Sequence, residues 1–216
     1  MRAGVVGATG LIGRALLVEL LASDHREVHA FVRRDAGRLA GDPRLTVHVV
    51  DFDRPLALPP LDDLYCALGT TIKAAGSEAA FRRVDFDNVL AAARAARASG
   101  ATRLAVVSAL GANVQSRVFY NRVKGEMEAA VAQLGFASVL IARPSLLAGD
   151  RAALGQPVRS GERLALRLTA PLRRLLPAAV RPIDAAVVAR AVVRTMTAAA
   201  LGVTVLDSAR LQAIGR

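Results

Sequence analysis

Apolar residues along this chain fall into short runs separated by stretches of helical period. AGVV (3–6) is a brief apolar strand, and LIGRALLVELLAS after it spaces Leu11, Leu17, Leu20 and Leu21 for one buried helical face. VHAFV (28–32), LTVHVVDFD (45–53) and DDLYCALG (62–69) read as the next three strands. A long helix is expected over SEAAFRRVDFDNVLAAARAARASG, closed by Gly100 as its C-cap. RLAVVSALG (103–111) is a fifth strand, YNRVKGEMEAAVAQLG a helix, and FASVLIARP (136–144) a sixth strand stopped by proline. A helix from near Asp184 and a last strand, GVTVL, complete the order. Short β-branched runs alternating with helices predict an α/β protein, a doubly wound parallel sheet covered on both faces. A length of 216 residues suits one domain with a real core.

The first strand runs into VVGATGLIG, where Gly7, Gly10 and Gly13 form GxxGxxG at the opening of a helix. A tight turn, close backbone approach to a pyrophosphate and close packing of helix on strand each require glycine there. Unpaired NH groups and the helix dipole then meet the negative charge. Gly7, Thr9, Gly10, Leu11, Ile12 and Gly13 are therefore the expected dinucleotide-binding segment of a Rossmann-like fold. Arg33 and Arg34 follow the second strand directly, and an arginine there pairs with a 2′-phosphate, so NADP(H) is expected in preference to NAD(H). Asp51 and Phe52 close the third strand, where they either contact adenine or serve as a turn residue beside a core phenylalanine.

Among 27 arginines the chain has only two lysines, and one of them is Lys124, four residues after Tyr120 in FYNRVKGEMEAAV. On a helix the two share a face that continues through Met127, Val131 and Leu134, so the face turns inward. An inward tyrosine and lysine require partners. Ser108 supplies a third polar group at the end of the fifth strand, where ligands gather in open sheets. A neighbouring ammonium favours the anion of a hydroxyl whose ordinary pKa is about 10, which suits proton transfer coupled to hydride transfer. The plainer alternative makes Tyr120 a packing residue and Lys124 a solvated charge.

Composition narrows the setting. The single cysteine, Cys66, excludes a disulfide framework, and with no leader pattern the expected location is the cytoplasm. No apolar run approaches the length of a membrane span. The net charge of +11 attracts anions of any kind, but few aromatic residues and no zinc-finger spacing argue against a specific nucleic-acid partner. His25, His29 and His48 lie apart in the sequence, and no metal site is expected.

Taken together, VVGATGLIG, the serine of VVSALGA and YNRVK resemble the short-chain dehydrogenase/reductase superfamily. LYCALGTTIKAAGSEAAFRRVDFD, LLAGDR, RPIDAAVVARAV and LDSARLQAIG are similar to its atypical group containing the Tat-interacting protein TIP30. The resemblance implies NADP(H) binding, with Ser108, Tyr120 and Lys124 in the superfamily's catalytic serine, tyrosine and lysine roles. It also implies that Leu68, Gly69 and Thr70 lie beside the cofactor and that Val107 backs the nicotinamide. Asn88 takes the place of the superfamily's helix asparagine, and Arg143 and Pro144 form the turn near the carboxamide.

Residues 145–182 are expected to form a short substrate-side insertion or lid within the single domain spanning 1–216. From Arg151 to Arg181 it holds seven arginines and one acid, Glu162. These could grip an acidic substrate, contact an anionic membrane surface peripherally, or solvate a lid with inward leucines. Two functions follow: an NADP(H)-dependent oxidoreductase acting on a small carbonyl or alcohol with Tyr120 as general acid/base, or a cofactor-binding sensor or scaffold with little turnover. A homodimer or a protein partner is compatible with either.

Overall fold

The computed structural model describes residues 1–25, 27–33, 39, 41–148, 177, 179–198 and 200–216. Seven strands form one parallel sheet: β1 (Arg2–Val6), β2 (Glu27–Val32), β3 (Leu45–Val49), β4 (Asp63–Cys66), β5 (Arg103–Val107), β6 (Ser138–Arg143) and β9 (Gly202–Asp207). Their order is β3-β2-β1-β4-β5-β6-β9, so the winding reverses between β1 and β4. That reversal opens a crevice at the carboxyl ends of the strands, which is where an open α/β sheet binds its ligand. A two-residue parallel ladder joins β7 (Leu147–Ala148) to β8 (Ile183–Asp184).

The strands are nearly all apolar because both faces are covered. On one face, Ala3, Val5, Val28 and Ala30 pack under α1 (Leu11–Leu21) and under Val188 and Val192 of a later helix, α6 (Ala185–Thr197). On the other, Val6, Phe31, Leu64 and Leu104 pack under α4 (Asn88–Ala98) and α5 (Phe119–Ala132). The alternation of Val5 and Val6 between these two cores is the period of two expected of a strand. This is the single α/β domain with a Rossmann-like parallel sheet that the pattern predicts.

Three local differences matter. The third strand stops at Val49 instead of reaching Asp51, because β2 ends at Val32, whose carbonyl takes the last bond, from the NH of Val50, at 2.8 Å. Asp51 turns the chain instead, its carboxylate accepting the NH of Asp53 at 2.9 Å. The expected single helix over 77–100 is a succession: α2 (Ile72–Ala75) precedes it, then α3 (Glu78–Arg82), a π-helical turn (Arg83–Asp87) and α4 follow one another. Gly100 closes the succession in the left-handed region at φ +104, as the sequence suggests. A terminal helix, α7 (Ser208–Gly215), was not expected; Asp207 starts it by accepting the NH of Arg210 at 2.8 Å.

His29 and His48, distant in sequence, meet across β2 and β3 with Nδ1 and Nε2 3.0 Å apart. Burial, together with the facing His48, lowers the pKa of His29, and burial lowers that of His48. Both imidazoles are therefore held neutral in the fold, while the unfolded chain takes up protons near pH 6.5. Below that pH the unfolded state binds more protons, so stability falls until the native rings also titrate. Urea midpoints should accordingly drop between pH 7 and pH 5, and His48→Phe, which can keep the stack on Phe31 at 5.1 Å, should flatten that fall. An equal slope in the variant would remove the pair as its source.

Candidate functional site

At the start of the crevice Gly7 takes φ +80, and a Cβ there would lie 2.7 Å from the carbonyl carbon of Ala67 and 2.9 Å from the nitrogen of Leu68. The β1 turn and the end of β4 thus touch backbone to backbone. Gly10 donates its NH to the carbonyl of Gly7 at 3.0 Å, which closes the turn, and then caps α1 in extended geometry. A Cβ on Gly13 would run into the Gly7 carbonyl oxygen, so the first turn of the helix presses directly on the loop. The NH groups of that first turn have no acceptor within the helix and point out of its end. Arg14, which sequence reasoning missed, donates Nε to the carbonyl of Thr9 at 3.3 Å and keeps a cation beside the same turn. The signal was its place one residue beyond the glycine motif.

Next along the carboxyl edge, Ser108 follows β5 and is buried, its NH bound to the carbonyl of Ala142 at 2.7 Å. Its hydroxyl is buried with no hydrogen-bond partner among the described residues. Such an orphan is costly unless something outside the protein completes it. Beyond Ser108 the chain folds back on α5, where Asn113 donates its NH to the carbonyl of Asn121 at 3.0 Å. Gly125 permits this approach, since any side chain would collide with the backbone of Asn113 and Val114. The fold-back sets the start of α5 beside the strand ends that carry Ser108.

The inward face of α5 is as its spacing predicts. Lys124, Met127 and Val131 are buried, and Tyr120 is half-buried with its ring against Phe81 at 5.2 Å. Lys124 Nζ lies 2.8 Å from Asp85 Oδ1 and 3.5 Å from the carbonyl oxygen of Val107. Burial pulls the ammonium toward neutrality, but Asp85, with a smaller contribution from Tyr120, outweighs it and holds the pKa above the ordinary lysine value. Cys66 faces the same pair from β4, and burial pushes its thiol up to about 11. It is a small apolar filler and not a nucleophile.

Asp85 is the site residue that sequence reasoning missed. VDFDN drew attention to Asn88, which is half-buried at the start of α4, whereas the group that meets Lys124 lies one turn earlier. The π-helical turn brings Asp85 to complete burial, and such bulges recur at functional sites. The available signal was the demand of an inward lysine for a counter-charge.

The remaining expected residues divide. Gly69 borders the lysine–aspartate pair, a Cβ there lying 3.3 Å from Asp85 Oδ1, and Thr70 donates its NH to Asp85 Oδ2 at 2.8 Å. Leu68 packs toward the core beneath α4 and α5. Pro144 is buried, and its carbonyl accepts the NH of Leu110 at 3.0 Å. Arg143 turns its guanidinium onto Glu128 of α5, with Nε 2.9 Å from Oε1. It lines an open cavity of about 400 Å³ with Asn113, Gly125 and Ile141. Arg33 is exposed at the end of β2, and Phe52 packs at the margin of the second core while Asp51 is exposed beyond β3. Arg34 lies outside the described residues, as do 149–176 and 178 of the expected insertion. The described ends of that insertion meet: Ile183 donates its NH to the carbonyl of Leu146 at 3.0 Å, and the hydroxyl of Ser145 donates to the carbonyl of Arg181. Ser208 of α7 donates to Ser145 at 2.9 Å, and Gln212 of the same helix donates Nε2 to the carbonyl of Arg181 at 3.4 Å.

A parallel sheet with its glycine turn at the winding reversal, a buried serine at an adjoining strand end and a buried lysine on the helix beside it define a Rossmann-type nucleotide-binding protein. The chain belongs to the NAD(P)H-binding family, which matches residues 7–153. It is 37% identical over 153 residues to Protein FMP52, mitochondrial, of Eremothecium gossypii, covering 70% of this chain and 68% of that protein. It is 35% identical over 167 residues to Protein HTATIP2 of Rattus norvegicus, covering 74% and 67% respectively. Among solved structures, MoeE5 in complex with UDP-glucose and NAD matches with a TM-score of 0.71 and 20% identity, covering 95% of this chain and 75% of that one. At that identity the match speaks for the fold.

Two expectations are corrected. Where a nicotinamide cofactor is stated for the matched structures it is NAD, which overturns the preference for NADP(H). The arginine pair was a weak basis for it, since Arg33 is exposed at the end of β2 and Arg34 lies outside the described residues. The cytoplasmic placement is overturned by the FMP52 relatives, which are mitochondrial proteins. One unpaired cysteine excludes a disulfide framework but does not separate one reducing compartment from another. Among the described residues no helix is long and apolar enough to cross a membrane, and no cluster of three metal-ligating side chains occurs.

Proposed function

We infer that this chain is an NAD(H)-dependent oxidoreductase acting on a small carbonyl or alcohol. The observation that carries the reading is the buried, unpartnered hydroxyl of Ser108 after β5, at the strand edge over which α5 carries Lys124, 3.5 Å from the Val107 carbonyl, and Tyr120. The glycine turn fits the cofactor as well, because its glycines let the loop, the end of β4 and the first turn of α1 pack backbone to backbone, with the free NH groups of α1 at the crevice. Bound NAD(H) supplies the hydride acceptor or donor. Gly7, Gly10 and Gly13 with the first turn of α1 would hold its phosphates, Gly69, Thr70 and Val107 would border it, and Lys124 would hold the nicotinamide ribose.

The side chains do the remaining work. Ser108 donates a hydrogen bond to the substrate oxygen and fixes its position. Tyr120 gives a proton to that oxygen during reduction and removes it during oxidation. Lys124 orients the ribose and places a positive charge beside the tyrosine. Residues 145–182 follow the sixth strand, and their described ends, Ser145 and Arg181, are joined beside α7. They are few for enclosing a sugar nucleotide, which favours a small substrate. A panel of aldehydes, ketones and quinones followed by NADH absorbance tests the reading. Turnover of at least one, lost in Ser108→Ala, is expected; NADH binding with no turnover across the panel would overturn it in favour of a cofactor sensor.

A further inference from the structure

Resting on that reading of the site, we propose that Asp85 is a positioning residue that fixes the Lys124 ammonium and ties it to the Gly69 and Thr70 edge of the cofactor crevice. The two carboxylate oxygens face different partners: Oδ1 makes an ion pair with Lys124 Nζ at 2.8 Å outside hydrogen-bond geometry, and Oδ2 accepts the NH of Thr70 at 2.8 Å. One fully buried side chain therefore joins three elements: the π-helical turn, α5 and the segment after β4. The register of the turn is what makes this geometry. A regular helix through 83–87 would rotate Asp85 away from α5, whereas the wider π turn keeps it facing Lys124.

The glycine at 69 completes the arrangement. A Cβ there would lie 3.3 Å from Asp85 Oδ1 and 3.7 Å from Lys124 Nζ, so the missing side chain leaves the pair open toward the crevice. The groups facing Lys124 are Asp85 from the π turn, Cys66 from β4, the Val107 carbonyl from β5 and Tyr120 from its own helix. Only Asp85 among them is a carboxylic acid, and burial keeps Cys66 a thiol. Asp85 is thus the group that keeps a cation buried beside Tyr120, where an unpaired ammonium would shed its proton. It also couples the crevice edge to that cation, because displacement of Thr70 by a bound ligand pulls on the same carboxylate.

The chain's two lysines make the test direct. With lysine labelled at 13Cε, the protein gives one resonance from the exposed Lys73 and one from the buried Lys124, assigned through Lys73→Arg. In the unmodified protein without cofactor, Lys124 should titrate above Lys73. In Asp85→Asn it should titrate below Lys73, by roughly two pH units. NADH affinity, flat with pH in the unmodified protein between pH 7 and 9.5, should fall about tenfold over that range in Asp85→Asn as Lys124 loses its charge. Titration of Lys124 at or below Lys73 in the unmodified protein overturns the proposal even if the variant does not fold. Asp85→Asn with an unchanged lysine titration overturns it as well. The lysine titration needs no cofactor, so a protein that shows it but binds no NADH would remove the proposed function and leave this pairing standing.

Discussion

Tyr120→Phe is expected to lower turnover by about 10²- to 10⁴-fold, the range for removing a positioned general acid or base. The reason is narrow. The phenylalanine ring retains the packing against Phe81 at 5.2 Å, so α5 and its inward face keep their places. Only the hydroxyl is lost, and with it the group that exchanges a proton with the substrate oxygen. NADH binding should weaken little, because the glycine turn and Lys124 are untouched, and the melting temperature should not move. The measurement is NADH oxidation with whichever carbonyl the panel identifies, beside calorimetric titration of NADH into both proteins. Unchanged turnover would remove Tyr120 as the proton donor. Loss of binding together with turnover would make it a cofactor contact instead.

Gly13→Ala should abolish measurable NADH binding, a fall of more than about 100-fold, corresponding to about 2.7 kcal/mol. The added methyl would run into the Gly7 carbonyl oxygen and lie 2.8 Å from Ala8 Cα. These are backbone atoms of the turn itself, so relief requires α1 to withdraw or the turn to open. Either movement displaces the NH groups that meet a pyrophosphate. The fold should also lose about 1–3 kcal/mol, as overpacked sites do. Gly10→Ala is the graded comparison: its Cβ meets the Gly7 oxygen at 3.2 Å, which a shift of a few tenths of an ångström relieves, so its binding should fall much less. Equal effects of the two substitutions, or NADH binding to Gly13→Ala at the unmodified affinity, would separate the turn from the cofactor.

The parts of this molecule that were legible in the sequence are those governed by local periodicity and backbone sterics. The short apolar runs AGVV and VHAFV, the inward stripe through Lys124, Met127 and Val131, and the left-handed close at Gly100 all act within a few residues. GxxGxxG belongs with them, because its glycines are demanded by contacts inside one strand–turn–helix unit. What was misread depended on distant neighbours. The third strand is shorter than its apolar run because its end is set by where β2 stops, and Arg33, although it follows β2 directly, is exposed.

Sequence by itself determined that a parallel, doubly wound sheet would carry a nucleotide turn at its first strand, since hydrophobic spacing and glycine's conformational range are properties of short segments. Only the tertiary structure decided which charges meet. It placed Asp85, not Asn88, against Lys124 through a one-residue widening of a helix, and it turned Arg143 toward Glu128. The physical reason is reach: a buried ammonium takes whichever carboxylate the packing brings within about 3 Å, and elements far apart in the chain set that distance.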